Sequence, residues 1–179
     1  PVVVKARSGS GVHRGLRYAS DADQLVRAYR EIASTEARTP TEDFTRPLVM
    51  EHIPGFVHDA CAVACDGEVV NVATNVRQLT TPVEGGVAAI SISTDEPALA
   101  ELGRTLLESL DWNGPANVEC KFDPRDGRYK LLEVNPRFWG NLDLDLEAGM
   151  NFAGQVRDLA LGREVVRDQR HQIGLRDIF

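Results

Sequence analysis

The feature that most restricts what this chain can fold into lies between Asn117 and Asn135. Two strand-like runs, Asn117–Asp123 and Arg128–Asn135, flank Pro124-Arg-Asp-Gly127 and read as a hairpin. Pairing Phe122 with Tyr129 sets Glu119 across from Leu132, one residue from Glu133, and a single bulge brings the two glutamates opposite each other. Like charges at a Cβ separation of about 4.5–5.5 Å destabilise a sheet unless something neutralises them. Val118, Cys120, Leu132 and Val134 take the other parity and supply a buried face, which leaves Glu119, Glu133 and Asn135 together on the opposite one. Two carboxylates and an amide oxygen are hard ligands suited to Mg²⁺, whose remaining positions go to water and phosphate. The bland alternative is a solvated face on which Lys121, Lys130 and Arg128 balance the acids. Pro136 stops the second strand, and Arg137 then brings a guanidinium within reach of a phosphoryl group held by the metal.

The rest of the chain supplies a scaffold. Pro1–Val4 reads as a strand, Arg7–Gly15 as a glycine-rich loop, and residues 21–34 as a helix capped by Ser20, with Leu25, Tyr29 and Ile32 at helical spacing. Residues 35–46 are polar and form a surface connection. Pro47–Ile53 resumes a strand, which Pro54-Gly55 bends. Ala60–Ala64 and Val69–Thr74 pair through a turn at Asp66-Gly67. Residues 75–86 read as a mobile loop and Val87–Ser93 as a strand. Thr94 caps a helix that carries Pro97 in its first turn and Leu99, Leu102, Leu106 and Leu110 on one face. The Leu142, Leu144, Leu146 alternation suggests a strand, but Gly149 as a helix stop and the period of Phe152–Leu161 favour helix up to about Gly162.

Composition removes several classes of function. The 27 acidic and 20 basic residues leave a formal charge of -7, with the arginines scattered, so no footprint for nucleic acid appears. No apolar run approaches the roughly 20 residues that span a bilayer, and no charged-then-apolar leader opens the sequence, so the expected setting is cytoplasmic. Three cysteines, Cys61, Cys65 and Cys120, are an odd number for a disulfide framework, and Cys61 and Cys65 read as small buried side chains. A start at Pro1 on a strand suggests part of a longer protein.

The motifs resemble the ATP-grasp superfamily, including its carbamoyl-phosphate synthetase and biotin carboxylase branches. The matching residues are Asn117-Val-Glu119, Asp126-Gly127, Leu131-Leu-Glu133-Val-Asn135-Pro-Arg137-Phe-Trp-Gly140 and Ala148-Gly149. The resemblance implies an α+β fold of two lobes whose antiparallel sheets clasp a nucleotide. It assigns residues 1–50 to part of the small lobe and 51–179 to the hinge and the larger lobe, with a further domain upstream. Lys5 then contacts the α- and β-phosphates, and Ser8-Gly9-Ser10-Gly11 forms a flap whose N-H groups hold phosphate. Glu51 and the Ile53 backbone meet the adenine edge, and His52 and Leu131 are further ATP-binding residues. The acid that often holds the ribose has His58 at its position, with Asp59 next to it.

Glu119, Glu133 and Asn135 bind Mg²⁺ (or Mn²⁺) in this reading, and Lys5 and Arg137 stabilise the γ-phosphoryl group. The implied activity is an ATP-dependent ligase that activates a small-molecule carboxylate as an acyl phosphate for an amine or other nucleophile, with neither nucleic acid nor membrane as partner and with room for a homodimer. Arg77, read as a loop residue, either pairs with the substrate carboxylate or is solvated. Two alternatives stay open: a nucleotide-binding regulatory module without ligase activity, and a small-molecule kinase.

Overall fold

The structure is a computed structural model that describes residues 1–8, 12–81 and 86–178. The chain divides into two compact units, Pro1–Ile53 with Glu84–Gly86, and Pro54–Val83 with Val87–Phe179.

In the first unit β1 (Val2–Lys5) is central to a three-stranded antiparallel sheet, flanked by β2 (Leu16–Ala19) and β3 (Leu48–Glu51). A single helical turn, α1 (Val12–Gly15), leads into β2 within the segment expected to be loop. The helix α2 (Ala22–Ala33) is capped by Asp21, whose carboxylate accepts from Gln24 N at 2.7 Å, and not by Ser20. Its buried stripe runs through Leu25, Ala28 and Ile32, and Tyr29 turns outward. Val4, Ala6 and Phe44 complete this core. Phe44 corrects the expectation of a surface connection: a polar segment here delivers one aromatic ring to the interior, with the Arg14 guanidinium 5.1 Å from its centroid.

The second unit is a six-stranded antiparallel sheet in the order β8-β7-β4-β5-β6-β9, formed by β4 (Val57–Cys65), β5 (Glu68–Thr81), β6 (Val87–Thr94), β7 (Gly114–Asp123), β8 (Arg128–Asn135) and β9 (Arg176–Ile178). Asp66 and Gly67, at φ 52 and 77, make the turn between β4 and β5. β5 extends to Thr81, through much of the segment expected to be a loop. That loop's remaining residues 82–85 lie outside the described residues.

One face of the sheet carries α3 (Pro97–Ser109), and the packing is close because small residues meet. Ala60, Ala62, Ala64 and Ala116 line the sheet, and a Cβ at Gly103 would lie 2.8 Å from that of Ala60. Leu99 and Leu107 are fully buried, while Leu110 is 53% exposed and drops out of the expected stripe. The N-cap is Glu96, whose side chain makes no capping hydrogen bond. Thr94 is instead tied to β5, its hydroxyl donating to that of Thr74 at 3.1 Å.

The other face carries α4 (Leu142–Glu147) and α5 (Phe152–Ala160), with Gly149 at φ 94 ending the first and Asn151 capping the second. Trp139, Met150 and Phe152 pack there against Cys61, Val63 and Ala73. Among the described residues no helix is long and apolar enough to cross a membrane. Cys61 and Cys120 are buried, Cys65 is half-buried, and all three are free thiols.

Candidate active site

The β7–β8 hairpin has the register that its charges demand. Phe122 pairs with Tyr129, and one irregularity between Glu119 and Cys120 brings Glu119 opposite Glu133 and Asn117 opposite Asn135. The bulge leaves Leu132 without a partner. Asn135 Nδ2 lies 3.0 Å from Glu119 Oε1 and 3.3 Å from Glu133 Oε1, so the three side chains converge on one point. Arg137 Nη2 donates to Asn135 Oδ1 at 3.4 Å, which places the guanidinium beside the same group.

The neighbouring strand deepens the charge. Asp59 of β4 faces Glu119, and its side chain is completely buried. Arg77 of β5 donates to Asp59 through Nε at 2.8 Å and Nη2 at 2.6 Å, and Nη2 also lies 2.6 Å from Glu119 Oε1. Asn117 Nδ2 adds a bond to Asp59 Oδ1 at 3.0 Å. Burial pushes the Glu119 carboxyl up, against the pull of Arg77. Burial alone would depress the Arg77 guanidinium, but the charges of Asp59 and Glu119 hold it above its ordinary value.

Arg77 therefore departs from expectation. It sits on a strand, its side chain only 12% exposed, and its guanidinium is committed to the chain's own acids. Asp59 departs as well, because a wholly buried carboxylate held by Arg77 and Asn117 is not presented to a ribose. His58 points to the other face, in edge contact with Tyr129 at 5.4 Å, and burial lowers its pKa. Leu131, opposite Cys120, is 45% exposed.

The remaining expected residues belong to the first unit. Lys5 ends β1 opposite Leu16 and Leu48, and Glu51 lies at the other end of β3, opposite Val2. His52 meets Tyr18 edge-on at 5.6 Å, and Ile53 is buried. Ser8 donates its hydroxyl to Thr41 O at 2.7 Å, and Gly9, Ser10 and Gly11 lie outside the described residues.

Among the described residues no group of three or more His, Cys, Asp or Glu has metal-holding geometry. The expected ligand set is two carboxylates and an amide, and its fit rests on different ground. One nitrogen already touches both glutamates, and a half-turn of the Asn135 amide would present Oδ1 in its place. All three donors would then be hard oxygens.

Sequence reasoning missed Asp145. It is fully buried on α4, accepts from Trp139 Nε1 at 2.6 Å through Oδ2, and has no partner for Oδ1 among the described residues. Burial pushes its pKa up to about 7. The only advance sign was two more acids inside the Leu142–Leu146 alternation.

This architecture is shared with solved structures. A biotin carboxylase from Campylobacter jejuni, described as a β-γ-ATP complex, superposes with a TM-score of 0.77 at 20% identity, over 98% of this chain and 40% of that one. The biotin carboxylase domain of a 2-oxoglutarate carboxylase from Hydrogenobacter thermophilus, described with MgADP, ADP and bicarbonate, gives 0.73 at 18% identity with the same coverage. At such identities the likeness shows the fold: two α+β units with antiparallel sheets, the ATP-grasp fold. The chain belongs to the family described as ATP-grasp in the biosynthetic pathway with Ter operon, which matches residues 43–177. The carbamoyl-phosphate synthetase likeness holds only at the level of the superfamily. A D-aspartate ligase of Enterococcus faecium is 35% identical over 57 residues, 32% of this chain and 14% of that protein. The chain thus spans well under half the length of these relatives.

Proposed function

We propose that this chain is the nucleotide- and metal-binding part of an ATP-dependent ligase that joins a small-molecule carboxylate to an amine or other nucleophile. The observation that carries the reading is the cross-strand pair Glu119 and Glu133, with one atom of Asn135 touching both and Arg137 beside it. The matched D-aspartate ligase and the nucleotide complexes support it by analogy. Residues 1–50 act as part of the small lobe and 51–179 as hinge and large lobe, in a cytoplasmic protein. A homodimer is the assembly to test by size exclusion.

In this reading Glu119 and Glu133 hold Mg²⁺ (or Mn²⁺) with help from Asn135. The cation, when bound, neutralises the phosphate oxygens. Lys5 contacts the α- and β-phosphates, Ser8–Gly11 covers them, Glu51 and the Ile53 backbone meet the adenine edge, and His52 and Leu131 are further ATP-binding residues. Arg137 stabilises the γ-phosphoryl group as a substrate carboxylate oxygen bonds to phosphorus and the bond to ADP breaks. The nucleophile then attacks the acyl carbon and loses a proton as phosphate departs. Positioning and charge neutralisation do the chemistry, and no side chain forms a covalent bond.

Calorimetry of the full-length protein with Mg-ATP tests the assignment. Lys5→Ala and Glu133→Ala should each abolish metal-dependent binding, and Glu133→Gln should nearly abolish turnover. Wild-type behaviour of both Glu133 variants would sink the metal assignment.

A further inference from the structure

Three carboxylates stand in one row across the sheet, because Asp59 pairs with Glu119 and Glu119 with Glu133. At cross-strand spacing such a row is unstable by itself. The Arg77 fork answers it. Nε and Nη2 clasp the two Asp59 oxygens at 2.8 and 2.6 Å, and Nη2 also reaches Glu119 Oε1 at 2.6 Å. Two parallel bonds to Asp59 fix the plane of the guanidinium, and a planar fork so held aims its remaining donors in set directions. Asp59 cannot drift, since it is wholly buried and Asn117 Nδ2 holds Oδ1 at 3.0 Å. On Glu119, Oε1 takes both Arg77 and Asn135.

We propose that Asp59 and Arg77 are positioning residues for Glu119: Asp59 fixes the guanidinium, the guanidinium fixes Oε1, and the carboxylate so held meets a divalent cation in a set orientation. The inference rests on the reading of Glu119 and Glu133 as metal ligands. It gives a role in cation choice to two residues that neither touch the cation nor face solvent. Mg²⁺ demands near-octahedral oxygens at about 2.0–2.1 Å, whereas Ca²⁺ accepts irregular ones at about 2.3–2.6 Å. A Glu119 free to swing therefore harms Mg²⁺ more than Ca²⁺. Groups one bond behind a metal ligand typically carry about 10- to 100-fold in metal affinity.

The test is calorimetric titration of the full-length protein with Mg-ATP and with Ca-ATP, alongside thermal melts. Arg77→Lys keeps the charge and loses the fork. It should weaken Mg-ATP about 10- to 100-fold and Ca-ATP much less, so that the preference for Mg²⁺ collapses. Asp59→Asn keeps the guanidinium and loses its anchor, and it should show the same signature; it also decides the matter if Arg77→Lys does not fold. A merely structural role would lower the melting temperature and weaken both nucleotides equally, and that result, or an unchanged preference in both variants, overturns the proposal. Glu133→Ala separates the two failures. If it binds Mg-ATP like wild type, the metal site itself is wrong and this inference goes with it; if it does not, an unchanged preference in the Asp59 and Arg77 variants removes this inference alone.

Discussion

The two faces of the six-stranded sheet are built from alternate residues of the same strands and are filled in opposite ways. On β4 the even positions Ala60, Ala62 and Ala64 are small and apolar, and α3 settles onto them closely enough for Gly103 to meet Ala60. The odd positions Asp59, Cys61 and Val63 start from a buried acid and grade into an apolar patch under Trp139, Met150 and Phe152. Both faces are buried, but most of the buried polar groups gather on one. That face holds Asn71, Asn75, Asn117 and Ser91, all inaccessible, and the carboxylate row, which runs from the buried Asp59 to the half-buried Glu119 and Glu133. Stability is invested in one side of the strand and chemistry in the other.

The comparison breaks if the apolar face also governs binding. Leu99 is fully buried against that face, so Leu99→Ala should cost about 2–5 kcal/mol, read from the denaturation midpoint. The Mg-ATP affinity of the folded protein should stay unchanged, and a matching loss of affinity would show that the two faces are not separable.

Asp145 sharpens the polar side. Its carboxyl is raised from the usual 3.8 to about 7 by burial, although the bond from Trp139 pulls it back. The unfolded chain releases this proton near the usual value while the folded chain keeps it, so the contribution to stability is full below the unfolded pKa and is lost as pH rises through about 7. Asp145→Asn cannot ionise and keeps an acceptor for Trp139. It should gain on the order of 2–4 kcal/mol over wild type at pH 8 and nothing at pH 4, in paired melts. Gly103→Ala returns to the apolar face: overpacking against Ala60 should cost about 1–3 kcal/mol without any pH dependence.

What the sequence made legible follows this same division. The hairpin register was readable because pleat parity and like-charge repulsion act between residues close in sequence, so one bulge could be inferred from the chemistry of Glu119 and Glu133. The convergence of those acids with Asn135 followed from it. Arg77 and Asp59 were not legible as a pair. A run such as Asn75-Val-Arg77-Gln resembles a loop until an acid from another strand, also out of sequence range, makes burial of its guanidinium affordable. Phe44 was hidden for a related reason, since one apolar residue in a polar segment has no period. The helix stripe shifted from Leu110 to Leu107 because Gly103 lets the backbone approach the sheet, a contact that only the partner's alanines explain. β9 has three residues, too few for alternation to show, and its strand state comes from pairing with β6.

The smallest expected effect addresses the bland alternative, in which lysines balance the acids of a solvated hairpin. Lys130 was one of the candidates. Its ammonium is instead paired with Asp126 of the turn, four residues away, at a partly exposed site. An exposed pair of this kind contributes about 0–1 kcal/mol. Lys130→Ala should therefore shift the unfolding midpoint by no more than that, lose even this in high salt, and leave Mg-ATP affinity where it was. If the affinity changed instead, Lys130 would be balancing Glu119 and Glu133 across the hairpin, and the convergence of those acids would lose its claim to be a cation site. If it did not, Lys130 drops out of the charge balance of the row, of which the Arg77 fork carries a part.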